Sequence, residues 1–145
     1  MIEPEIFDCA TEFRLAIERT DRARLPIGLT EFPAGSCSDA SILLGVYLSE
    51  KGHGEFELIR GHRGRMDDDT YGTHAWLFQN DLVVDITADQ FDEIEQSVLV
   101  KRDSDWHEQF EIDGRNLAHF KIYDSNTCST LRNAYRVVMK TMGAT

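Results

Sequence analysis

Apolar residues recur at near-helical intervals from residue 4 to 24, where Ile6, Phe7, Ala10, Phe13 and Ile17 form one stripe. Pro26 and Gly28 close that helix, and residues 26–35 read as a connection. A second helix follows. Ser36 stands at its N-cap and Asp39, three residues on, takes the acidic place of a capping box. Ala40, Leu43, Leu44, Tyr47 and Leu48 supply its apolar stripe, and Gly52 its C-terminal cap.

Beyond Gly52 the period shortens. The stretch EFELIRG (55–61) alternates as a strand, and RGRMDDDTYG (63–72) reads as a polar loop. THAWLFQNDLVVDIT (73–87) reads as a β-hairpin turning at Asn80-Asp81, a pair that tolerates positive φ. QSVLVKR (96–102) is a further strand, whereas 103–122 fits either a short helix or a turn and strand. Leu131, Ala134, Tyr135, Val138, Met139 and Met142 define a last helix closed by Gly143. Helices followed by mostly antiparallel strands predict one α+β domain spanning 1–145, with the N-terminal helices on one sheet face and a further helix at the C-terminus.

Composition narrows the partners. With 26 acidic against 15 basic residues the net charge is −11, which repels phosphate backbones and anionic membranes. No run approaches the ~20 apolar residues that span a bilayer. No basic-then-apolar leader opens the chain, so a cytoplasmic protein, or an effector exported without a cleaved signal, is expected. Cys9, Cys37 and Cys128 are widely spaced and odd in number, which fits a reducing compartment better than a disulfide framework. The acidic run at 66–69 reads as solvated, and His53, His62, His107 and His119 lack metal-ligand spacing, so neither a metal nor another cofactor is expected.

Three residues change the picture. Cys37 falls in the first turn of the second helix, where unpaired N–H groups and the positive dipole end favour a thiolate and can hold an oxyanion. Cys9 and Cys128 lie inside or beside helical patterns and read as packing. His74 lies on the first hairpin strand. A two-residue turn pairs Gln79 with Leu82 and Trp76 with Asp85, so Asp85 projects on the His74 face, diagonally across the strands. One extra turn residue would send it to the other face. Asp85 also interrupts the apolar run LVVDIT, where a charge needs a partner. A nucleophile, a base and an acid that orients it are the parts of a cysteine-dependent acyl-transfer site.

The order GSCSDAS, THAW, VVDIT resembles the transglutaminase-like branch of the papain-like cysteine protease superfamily, and the likeness covers residues 30–92. That resemblance implies a papain-like core on which Cys37 is the nucleophile, His74 the base and acid, and Asp85 the orienting carboxylate. It implies hydrolysis of a protein or peptide amide (peptidase, amidase or deamidase), or transglutaminase or acyltransferase chemistry from the same thioester. A non-catalytic protein-binding module on this fold is the alternative. Papain-type enzymes carry a glutamine shortly before the cysteine, but residues 29–36, LTEFPAGS, contain none. Oxyanion donors are therefore expected from the backbone near Cys37 and Ser38, or from Gln90. Trp76, on the His74 face, is expected to shield the His–Asp bond or line an acyl pocket. Neither the substrate nor the oligomeric state is legible.

Overall fold

The computed structural model describes residues 2–67 and 69–143, and the fold they form is α+β. Helix α1 (Ile2–Arg19) leads through two short 3-10 turns to α2 (Cys37–Leu48). Strands β1 (Glu57–Arg63), β2 (Gly72–Gln79), β3 (Leu82–Asp85) and β4 (Leu99–Arg102) follow. Then come the single-turn helix α3 (Asp105–Glu108), strand β5 (Glu111–Leu117) and the C-terminal helix α4 (Ser125–Gly143). The five strands form one antiparallel sheet in the order β4-β3-β2-β1-β5. No helix among the described residues is long and apolar enough to cross a membrane.

The sheet separates two apolar clusters. Leu58, Ala75, Leu77, Leu82 and Val84 join Phe13, Ile17, Leu43, Leu44, Leu131 and Val138 in the main core beneath the helices. Ile59, Trp76, Val83 and Phe110 form a smaller aromatic cluster on the opposite face, flanked by Phe78, Phe91 and Trp106. Strand alternation produces this division: Ala75 and Leu77 go to one side, His74 and Trp76 to the other. Helix α2 is buried at every position from Ala40 to Leu48, so it is a central helix rather than a surface one. It runs close to the chain beyond β5: a Cβ on Gly45 would lie 2.7 Å from Ala118 Cβ and 2.8 Å from its carbonyl oxygen.

Several boundaries move for local reasons. The first helix stops at Arg19, not near residue 24, because the Asp21 carboxylate accepts the Ala23 N–H at 3.0 Å and starts a separate turn. The capping box at α2 does not form. Ser36 occupies the N-cap, but its hydroxyl donates to the Ala34 carbonyl at 3.2 Å. The Asp39 carboxylate instead packs over Gly28, where a Cβ would come within 2.0 Å of Oδ2. Beyond Leu48 the helix widens into a π-turn in which Gly52 adopts a φ of 91°. The ambiguous stretch 103–122 supplies α3 and the edge strand β5. Most of β5 is exposed, so it carries no apolar alternation to reveal it. Asp68 of the acidic run lies outside the described residues, and its neighbour Asp67 pairs with Arg65 at 3.2 Å.

Candidate functional site

The hairpin sets the register. Asn80 and Asp81 take φ values of 48° and 65°, the two positive angles of a tight two-residue turn. Leu77 pairs with Val84, Phe78 with Val83 and Gln79 with Leu82, as the sequence predicts. His74 and Asp85 therefore project from the same face. His74 Nε2 lies 2.7 Å from Asp85 Oδ2, with both side chains fully buried.

Asp85 is engaged through both of its carboxylate oxygens. Oδ1 accepts the Thr87 N–H at 2.9 Å and lies 3.5 Å from its hydroxyl, and Oδ2 lies 2.7 Å from His107 Nε2 as well as from His74. Burial would raise the carboxyl, but the charge of His74 and the hydrogen bonds from the two histidines hold it far below the ordinary carboxylate range. An ionised carboxylate only accepts, so both Nε2 atoms carry hydrogen. Burial also opposes a charged His74. The Asp85 carboxylate and its hydrogen bond outweigh that penalty, Cys37 adds to them, and the imidazole is raised to about 9.

Cys37 is the first residue of α2 and is partly buried. The first intrahelical bond runs from the Ala40 N–H to the Ser36 carbonyl at 2.9 Å. The N–H groups of Cys37, Ser38 and Asp39 precede that bond, and no Ser36 hydroxyl caps them. With Nε2 committed to Asp85, Nδ1 is the His74 nitrogen left for the thiol. Gln90 stands beside it: its Oε1 accepts the Gly35 N–H, which fixes the amide, and its Nε2 lies 3.4 Å from His74 Nδ1. A protonated imidazole and an amide N–H₂ are both donors, so Gln90 then offers its hydrogen to an acceptor lying between them. Gln90 is held there by the segment after β3, which Arg14 of α1 pins to the helices. The Arg14 guanidinium donates to the Ile86 carbonyl at 2.7 Å, to the Ser97 carbonyl at 2.9 Å, and to both Asp89 oxygens.

Aromatic rings enclose the imidazole. Trp76 lies 5.8 Å from it between ring centroids, Trp106 5.6 Å and Phe91 5.1 Å, the last edge-on. Trp76, 3% exposed, packs against the imidazole. A cavity of ≈ 300 Å³ opens against Trp76 and His107, with Phe78, Val83 and Phe110 among its walls. Of the residues singled out in the sequence, His74, Asp85, Gln90 and Trp76 converge here, while Cys37 contributes to the rise of the His74 imidazole and opens α2 together with Ser38. His107, Thr87 and Arg14 were not anticipated. His107 had no spacing to mark it, because the sheet order brings 103–110 back beside β2 and β3.

His74, Asp85 and His107 also place one potential metal-ligand atom each within 4.8 Å of one another. The distance of 2.7 Å from each Nε2 to the same oxygen is that of an N–H···O bond, so the arrangement seen is one of shared protons. Comparison of the chain with models of protein families, with characterised proteins and with solved structures finds no match.

Proposed function

We propose that the protein is a cysteine-dependent hydrolase of amide or related acyl bonds, acting on a protein or peptide. One observation carries the reading: the buried Asp85 carboxylate holds His74 Nε2 at 2.7 Å and keeps the imidazole raised to about 9, a rise to which Cys37 contributes. The sequence resemblance of residues 30–92 to the transglutaminase-like branch of the papain-like superfamily points the same way. Three free cysteines suit a reducing compartment such as the cytosol.

In this mechanism His74 Nδ1 already holds the proton given up by Cys37, and Sγ attacks the carbonyl carbon as the thiolate. The tetrahedral oxyanion takes hydrogen bonds from the uncapped N–H groups at the start of α2 and from the Gln90 amide. Collapse breaks the carbon–nitrogen bond, and the departing amine takes the proton held by Nδ1. Water then adds to the thioester, giving its proton to Nδ1, and the acid leaves as the thiol is restored. Asp85 keeps the ring oriented and stabilises its charged form throughout.

The test is alkylation of the three cysteines with iodoacetamide near pH 6, followed by profiling of a peptide and amine library with wild type and Cys37→Ala. The expected result is faster labelling of Cys37 than of Cys9 or Cys128, and a thioester adduct formed by wild type alone. Equal labelling rates would overturn the nucleophile and leave a binding module. An adduct resolved only by added amines would make the enzyme an acyltransferase.

A further inference from the structure

We propose that His107 is a positioning residue for this reaction: held by Ser104, it fixes the Asp85 carboxylate against His74. The site is then a relay running Ser104–His107–Asp85–His74–Cys37. This inference rests on the cysteine-hydrolase reading and deepens it.

Three features converge on His107. It is only 4% exposed, and its two ring nitrogens are both engaged, Nε2 with Asp85 Oδ2 at 2.7 Å and Nδ1 with Ser104 Oγ at 2.6 Å. Ser104 is the N-cap of α3, with its hydroxyl also 3.5 Å from the His107 N–H, so the single turn of α3 is closed around this contact. Aromatic rings prevent the imidazole from swinging away: Trp76 lies 4.9 Å and Trp106 4.8 Å from it between centroids.

The chemistry gives this arrangement a purpose. A carboxylate with one histidine partner could rotate about its Cβ–Cγ bond or protonate inside an apolar face. Here Oδ1 is held by Thr87 and Oδ2 by two N–H donors, so the carboxyl plane is fixed and the oxygen facing His74 stays anionic. The charged and titratable groups around the pair are few. His74 faces Asp85 from β2 and His107 faces it from α3, while Cys37 opens α2 and contributes to the rise of His74. Arg63 of β1 lies over the rings of Phe91, Trp106 and Phe110 and is paired with Glu93. Arg14 of α1 is committed to Asp89 and to backbone carbonyls.

The experiment measures iodoacetamide alkylation of Cys37 against pH in wild type, His107→Gln, His107→Phe and Ser104→Ala, together with the imidazole NMR titration of His74. His107→Gln keeps an N–H near Asp85 and should retain the wild-type profile within about twofold. His107→Phe should move the acid limb upward by about half a unit or more and lower the plateau about tenfold. Ser104→Ala should shift the limb in the same direction by a smaller amount. A folded His107→Phe with an unmoved profile and an unmoved His74 titration would make His107 a packing residue. If His107→Phe does not fold, an unmoved Ser104→Ala profile overturns the relay. Failure of the hydrolase reading is distinct, since it appears as equal labelling of Cys37 and Cys9 in wild type, while the His74 titration still reports on His107.

Discussion

His74 and Asp85 stand one diagonal apart across the β2–β3 hairpin, joined at 2.7 Å with no solvent access to either side chain. Replacing Asp85 with Asn removes the charge that holds the imidazole protonated and leaves the amide unable to accept from His74, His107 and Thr87 together. Cys37-dependent turnover should fall by about a thousandfold or more. In NMR titration the His74 midpoint should drop from near 9 to below the ordinary histidine value.

The same pair gives stability a pH dependence whose sign is fixed. Asp85 is depressed in the folded protein, so its contribution is present above the ordinary carboxylate range and is lost as pH falls through its lowered value. His74 is raised from 6.5 to about 9, so its contribution is full below 6.5 and is lost as pH rises through 9. Urea unfolding of wild type should therefore show greatest stabilisation from this pair between about pH 4 and 6.5. The Asp85→Asn protein should lack that dependence, and parallel curves for the two proteins would exclude the ion pair as its source.

That pairing was legible because a two-residue turn admits only one count outward from Gln79 and Leu82, and a charge inside LVVDIT demands a partner. The start of α2 was legible as well, but not its capping. Ser36 has a nearer acceptor in the Ala34 carbonyl, and Asp39 packs over Gly28, contacts that depend on where the preceding loop folds. His107 lay beyond reach for another reason. It lies 22 residues from Asp85 along the chain, on a four-residue helix too short to show a helical period.

Gln90 links the loop before Cys37 to the imidazole, and removing it tests the oxyanion. Gln90→Ala should leave the unfolding midpoint nearly unchanged, since the Gly35 N–H it frees can bond to water. Turnover should fall about a hundredfold, chiefly through kcat. An effect confined to KM would assign Gln90 to substrate binding instead.

Helix α2 carries Cys37, and its placement depends on Gly45. A methyl group there would sit 2.7 Å from Ala118 Cβ, so Gly45→Ala should destabilise the fold by about 1–3 kcal/mol despite the better helix propensity of alanine. The unfolding free energy reads this directly. A gain in stability would mean that α2 can shift without loss.

Strand β2 places Ala75 and Leu77 in the helix-side core, and His74 and Trp76 among the aromatic residues on the far face. Its odd positions therefore answer to the main core and its even positions to the cluster around His74. Phe78, Val83 and Phe110 wall the cavity on that far face without entering the main core. Substitutions there can reshape the cavity while leaving the helix packing intact, so one face of the sheet is free to vary while the other keeps the fold.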